Sequence, residues 1–315
     1  MSAQAGTRNV ATRGPRRRAR FRRSDLTRYM FVLPATVYLL VFFAYPIVYN
    51  IIFSLQDVNI ATFISGNAPW VGLANYAKVI QSPTFQAAAR NTAILTVLSL
   101  VFQFGVGMLL AMYYNRGFPL AGAMRSLMLL PFLLPFIVTG SAFKWLFTDP
   151  NGLVNYLFSD IAHIVPPHTA WLADRQLALP VVILANIWVG IPFNMIILHS
   201  GLQGIPTEIY EAAAIDGANR WVRFWRITLP MLRPVISILL ILGLIYTVQV
   251  FDAPYVLTGG GPADASQTFS ILSYQLSFGD FSFGQGAAVG NIMVLITLVL
   301  AMGYLAAVRR EQSWS

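Results

Sequence analysis

Residues 208–230 read EIYEAAAIDGANRWVRFWRITLP. Glu208, Glu211, Asp216, Arg220, Arg223 and Arg226 fall within this stretch and Arg233 just beyond it, between two of the most apolar stretches of a chain that, past its first 28 residues, otherwise holds few ions. An ion at the centre of a membrane helix costs roughly 2.5–3.5 kcal/mol on insertion scales, so seven would cost about 20 kcal/mol. The segment therefore belongs in water, and the question becomes what its neighbours dissolve in.

The whole chain is 57% hydrophobic and only 10% charged, against roughly 25% charged in an ordinary soluble domain. Apolar runs lie near residues 30–54, 87–114, 122–147, 177–200, 232–257 and 285–308. At about 1.5 Å per residue, each can cross a hydrocarbon core of about 30 Å as a helix. The expected fold class is all-α, a polytopic membrane protein with six transmembrane helices. The expected organisation is a basic tail over 1–28, a transmembrane domain over 29–310 carrying the charged loop at 204–230, and a short C-terminus at 311–315.

Arginine sets the orientation. Of 21 basic residues, 17 sit in the first 28 residues, the 115–126 turn, the charged loop with Arg233, and the C-terminal end; only Lys78, Arg90, Lys144 and Arg175 fall on the other side. By the positive-inside rule both termini and the charged loop face the cytoplasm. The tail and the run from Met30 to Ala44 resemble the n- and h-regions of a secretory signal, but FFAYPIVYNIIFSL continues the hydrophobic run and five more follow, which gives an uncleaved first helix. The Arg-rich tail reads as a solvated segment near anionic headgroups rather than as a nucleic-acid arm.

Catalytic constellations are missing from the sequence. There is no G-x-x-x-x-G-K-[ST] phosphate loop, and the two lysines, Lys78 and Lys144, stand outside any glycine-rich turn. There is no H-E-x-x-H, no G-x-S-x-G and no cysteine; His163, His168 and His199 are scattered. GVGMLLA from Gly105 and GAAVG from Gly286 fall within spans, where small residues permit helix contact. No enzyme activity and no cofactor are expected on this chain.

The charged loop has strong helical character. Pro206 suits a first-turn position, with Glu208 and Glu211 at the positive end of the helix. Ala212, Ala213 and Ala214 combine helix propensity with little bulk, so another backbone could approach. Asp216-Gly217 reads as a break, Asp216 being able to cap a second helix in which Trp221, Phe224, Trp225 and Thr228 share one arc opposite Arg220, Arg223 and Arg226. Physical chemistry alone leaves two readings open: an amphipathic helix lying at the lipid boundary, or a docking element for a soluble partner.

The spacing Glu211-Ala212-Ala213, Asp216-Gly217-Ala218, Phe224, Ile227 and Leu229-Pro230 resembles the cytoplasmic EAA loop of permease subunits of binding-protein-dependent ABC importers. FAYPIVYNIIFSLQD (Phe43–Asp57), WVGLANYAKVI (Trp70–Ile80), LLPFLLPFIVTGSAFKWLFTDPNGLVNYL (Leu129–Leu157) and FDAPYVLTGGGP (Phe251–Pro262) are similar to the carbohydrate branch, the maltose and glycerol-phosphate type. The likeness covers nearly everything from about residue 30. It implies a bacterial or archaeal cytoplasmic-membrane subunit transporting a sugar or sugar-like solute. The implied partners are a separate ATPase dimer holding ATP and Mg, a second related permease as heterodimer, an extracytoplasmic solute-binding protein, and membrane lipid, with no nucleic acid. On this sequence Glu211 would contact the ATPase, Ala212 and Ala213 would allow close approach, and Asp216-Gly217 would form the bend.

Polar groups within spans mark a pathway by default, although many only tie helices together. Asn186, Gly190 and Phe193 share a face of the fourth span, with Trp188 and Asn194 beside it; Tyr246, Gln249 and Asp252 are one turn apart in the fifth. Asn186 and Gln249 should lie at matching depths, about 10–13 Å below the outer boundary. Amides and aromatic rings at one depth suit a sugar, and the resemblance places a solute site on these helices. Asp252 could instead pack or cap near the loop. The outer loops, about 55–84, 148–176 and 258–283, would receive the binding protein, with LTGGGPADAS flexible by its glycines. A secondary transporter or channel is the main alternative, and it would call for buried ion-binding carboxylates that the spans almost lack. A membrane enzyme or non-transporting scaffold is a further one.

Overall fold

The computed structural model describes residues 23–312, with side chains described at Met30 and over 32–306, so most of the basic tail lies outside the described residues. The described residues fall into two compact units, the first ending at Tyr49 and the second beginning at Asn50. In the first, the apolar side chains from Val32 to Tyr49 are almost all exposed, as a lipid-facing helix requires. Its rings pair along the helix, Tyr38 with Phe42 and Tyr45 with Tyr49, each at 4.8 Å.

Among the described residues, five helical runs are long and apolar enough to cross a membrane: α1 (Val32–Ser54), α2 (Pro83–Tyr114), the fourth and fifth runs described next, and a last one from Phe283. The third run is a bent pair, α3 (Ala121–Leu133) and α4 (Phe136–Leu146), meeting at 91°. Then come α5 (Ala178–Gln203), α6 (Thr207–Ile215), α7 (Arg233–Val248), α8 (Asp252–Thr258) and α9 (Phe283–Gln312). The described residues contain no strand beyond one isolated bridge between Gln56 and Trp70. All-α, polytopic membrane architecture therefore holds.

Two spans read as continuous in the sequence are broken. In the third, Leu134 turns extended (φ −74°, ψ 139°) because the ring of Pro135 disfavours helical backbone in the residue before it. In the fifth, α7 stops at Val248 and α8 starts at Asp252. In an unbroken helix Pro254 could not donate to the carbonyl of Val250 and its ring would strike it. The chain relieves the conflict by leaving Gln249–Phe251 outside the helix.

Helix ends and contacts follow local chemistry. The Ser82 hydroxyl accepts from the Phe85 N–H at 3.2 Å ahead of Pro83, which starts α2. Asp174 Oδ1 accepts from the N–H groups of Gln176 and Leu177 at 2.6 and 3.2 Å just before α5. Where apolar burial gives little drive between helices, small residues set their approach. A Cβ on Gly107 of α2 would stand 2.7 Å from the Cβ of Asn194 on α5, and one on Gly201 2.8 Å from Leu232. Of the two glycines in GVG, only Gly107 makes such a contact; Gly105 faces open space.

The loop after α8 departs from its expected flexibility. Ser266 and Gln267 are fully buried, Ser266 Oγ donates to Thr258 Oγ1 at 2.7 Å, and Gln275 Nε2 donates to the Gly259 carbonyl at 2.9 Å. Gly259 and Gly260 supply positive φ (59° and 90°) to a pinned turn.

Candidate functional site

Gln103, Phe132, Phe136 and Asn194 join all six residues singled out as a solute path, Asn186, Gly190, Phe193, Tyr246, Gln249 and Asp252, around one cavity of about 480 Å³. Both broken spans meet it: Phe132 and Phe136 flank the Leu134–Pro135 bend, and Gln249 and Phe251 belong to the gap between α7 and α8. Phe132 stacks on Phe193 at 5.4 Å, and Phe251 on Tyr255 at 4.9 Å.

The polar wall is organised by α2. Asn186 Nδ2 donates to Ser99 Oγ at 2.8 Å, and Gln103 Nε2 donates to the Asn186 carbonyl at 2.9 Å. A Cβ on Gly190 would overlap the Gln103 amide, so glycine there lets the amide lie across α5. Asn194 is buried, its Nδ2 donating to the Gly190 carbonyl at 2.8 Å. Gln249 and Asp252 are exposed at the cavity, as is Tyr246 at 70%. Sequence reading passed over Gln103 and Phe132. A lone amide in the apolar run of α2 was the available signal for the first; for the second, the signal was Pro135 bending the chain beside it.

The charged loop builds a second feature. Pro206 is the N-cap of α6 rather than a first-turn residue. At the other end the N–H of Ala218 donates to the Ala213 carbonyl at 2.9 Å and that of Gly217 to the Ala214 carbonyl at 3.1 Å, with Gly217 at φ 79°. This paired closure is the Schellman motif, which demands a left-handed residue where glycine stands. The next helical turn is capped by Asn219, whose Oδ1 accepts from the Val222 N–H at 2.9 Å. Asp216, expected to cap it, ends α6 instead.

The expected separation of a greasy and a cationic face does not form. Residues Phe224–Thr228 close as a π-turn, and i→i+5 closure shifts the residues after it off a 100° progression. Trp221 and Trp225 are 71% and 57% exposed, whereas Thr228 is buried. Phe224 and Thr228 share a recess of about 440 Å³ with Arg116, Arg220 and Arg223. Tyr210, Phe224 and Leu229 pack on a core containing Tyr114, Leu202 and Leu232, which fixes the base of the loop.

Its tip is bare. Glu208, Glu211, Ala212, Asp216 and Gly217 are exposed, Ala213 is half-buried, and Ile215 is 88% exposed. Among the described residues the one contact between an acid and a basic side chain is His168 with Asp149 at 3.7 Å, so the loop's acids and arginines form no ion pair with one another.

Irregular backbone at membrane depth is tolerated where it is buried in protein or lines a cavity, and transporters use such interrupted helices at their solute sites. Two interruptions on one polar and aromatic cavity define a membrane transport subunit. The chain belongs to the family of binding-protein-dependent transport system inner membrane components, which matches residues 103–311. It is 32% identical over 285 residues to the trehalose/maltose transport system permease protein MalF of Thermococcus litoralis, covering 90% of this chain and 94% of that relative. To the diacetylchitobiose uptake system permease protein DasB of Streptomyces coelicolor it is 30% identical, over 96% and 92%. A solved bacterial ABC transporter involved in the import of the acidic polysaccharide alginate aligns with a TM-score of 0.78 at 26% identity, over 91% of this chain and 96% of that one. A complex of the bacterial alginate transporter with its alginate pentasaccharide-bound periplasmic protein aligns with a TM-score of 0.77 at 25% identity, over the same shares.

Proposed function

We propose that this permease subunit conducts a sugar or sugar-like solute through the cavity between α5 and the α7–α8 break, driven through α6 by a separate ATPase dimer that binds ATP and Mg. The observation that carries the reading is the meeting of two broken spans at Asn186, Phe193, Tyr246 and Gln249. Sugar hydroxyls need both donors and acceptors, which amides supply, and sugar C–H faces lie well on aromatic rings. The relatives named for trehalose, maltose and diacetylchitobiose support the solute class.

In this reading both termini and α6 face the cytoplasm of a bacterial or archaeal cell. Glu211 and Asp216 offer charge to the ATPase, while Ala212 and Ala213 leave room for its backbone. Gly217 holds the turn. A second, related permease completes the path as heterodimer, and an extracytoplasmic binding protein loads it across the outer loops. To carry an inward/outward equilibrium from 1:99 to 99:1, the nucleotide-bound ATPase must favour one state by roughly 5.5 kcal/mol. A loop whose base is packed into the core can transmit such a load; a helix floating in lipid cannot.

The test is purification of the tagged chain from its native membrane, followed by reconstitution with a candidate binding protein and radiolabelled sugar. Stoichiometric recovery of an ATPase and a second permease, with ATP-dependent uptake, is the expected result. Uptake by this chain alone, driven by an ion gradient, would defeat the reading.

A further inference from the structure

Two of the four basic residues that stand against the general arginine bias, Arg90 and Arg175, line a single groove of about 650 Å³ between α2 and α5. Below Arg90, Ile94, Leu98 and Phe102 follow at successive i+4 positions and so form one ridge along α2. Leu179, Ile183 and Ile187 repeat the same spacing on α5. The ridge is open, with Ile94 and Leu98 38% exposed and Phe102 51%, whereas Leu179 and Ile183 are buried as a floor.

The groove's dimensions match one leaflet. From Arg90 to Phe102 an α-helix rises about 18 Å, close to half of a hydrocarbon core of about 30 Å. Charge stands at the rim and apolar side chains fill the depth. No carboxylate lines the groove. The nearest acids along the chain are held by their own partners: Asp174 accepts from the N–H groups of Gln176 and Leu177, and Asp264 Oδ2 accepts from the Thr84 hydroxyl at 2.9 Å. A free anion would need no greasy wall, and two arginines with no carboxylate among the lining residues suit a phosphate headgroup above an acyl chain.

We propose that this groove binds an anionic phospholipid of the outer leaflet, its phosphate between Arg90 and Arg175 and one acyl chain along the Ile94–Leu98–Phe102 ridge. The leaflet rests on the orientation given under Proposed function; the site itself does not depend on which solute is carried.

Native mass spectrometry of the intact importer, equilibrated with dioleoylphosphatidylglycerol or dioleoylphosphatidylcholine, reads the site without any transport step. The wild type should retain the anionic lipid preferentially. Each of Arg90→Gln and Arg175→Gln should lower that retention on the order of fivefold, and the pair about 25-fold, from the roughly 1 kcal/mol that a basic side chain contributes near anionic lipid. Leu98→Trp fills the groove, keeps both arginines, and should also lower retention. Undiminished retention in the double variant or in Leu98→Trp overturns the proposal, as does displacement of the lipid by inorganic phosphate. So does a photo-crosslinker at position 94 that captures the second permease instead of lipid. Because the chain has no cysteine, Arg90→Cys can be labelled with a membrane-impermeant maleimide. Labelling from outside is expected, and labelling only from inside would refute the outer-leaflet assignment while leaving sugar uptake as a separate measurement of the transport reading.

Discussion

The hydroxyls of Tyr210 and Thr228 stand 2.9 Å apart, joining α6 to the π-turn that leads into α7. Thr228 is buried and Tyr210 half-buried, so this contact ties the exposed elbow to the span that carries Gln249. Tyr210→Phe deletes one partner, and a neutral hydrogen bond contributes about 0.5–1.5 kcal/mol. That is too little to unfold the chain and enough to slacken the link. In reconstituted importer we expect ATP hydrolysis to persist while solute moved per ATP falls several-fold. An unchanged ratio would mean that motion reaches α7 by another route.

Gly217 offers a harsher test of the same elbow. A Cβ there meets no atom, but φ is 79°, and left-handed backbone costs an ordinary L-residue roughly 1–2 kcal/mol. Gly217→Leu therefore strains the Schellman closure without disturbing the membrane core. Glu211→Lys reverses a charge that has no ionic partner among the described residues. Both variants should reach the membrane at near-normal abundance and lose uptake, with less ATPase recovered on purification. Normal transport by both would remove α6 from the coupling step.

The spans, the charged loop and the polar positions on α5 and α7 were legible because lipid penalises ions and unpaired polar groups so strongly that their placement is nearly forced. Asn186 and Gln249 line one cavity, and the rise of a helix is the sequence property that pairs them. What escaped was set by details that periodicity cannot carry. Pro135 and Pro254 each break a span that hydropathy draws as continuous. The π-turn at Phe224–Thr228 moves Phe224 and Thr228 inward, away from Trp221 and Trp225. Glycine in TGGGP suggests freedom by composition, whereas the turn needs its positive φ and pins it with Ser266 and Gln275. Gln103 was invisible because one amide in a long apolar run says nothing about which helix it faces.

The α2–α5 contact separates two neighbouring glycines. Gly107→Ala places a methyl group 2.7 Å from the Asn194 Cβ and 3.1 Å from the Met195 backbone nitrogen, and overpacking of this kind costs about 1–3 kcal/mol. Gly105→Ala meets nothing within 4 Å and gains helix propensity, on the order of 1 kcal/mol at most. Thermal unfolding in detergent should therefore shift down for Gly107→Ala and stay level or rise for Gly105→Ala. Equal shifts would show that helix propensity, not close packing, governs this pair.

Asn186 already commits its Nδ2 to Ser99 and its carbonyl to Gln103, which leaves Oδ1 as the side-chain acceptor for a solute. Gln249 sits outside regular helix with an exposed side chain. Replacing both by alanine removes hydrogen-bonding groups that a sugar hydroxyl could meet, and the backbone break set by Pro254 remains. If each lost bond is worth about 1 kcal/mol, the Asn186→Ala, Gln249→Ala double variant should show solute-stimulated uptake reduced by roughly tenfold or more at low sugar concentration. Basal ATP hydrolysis should change little, because α6 and its anchor at Tyr210 are untouched. Uptake at the wild-type level would transfer the solute contact to the second permease and leave this cavity as a gate.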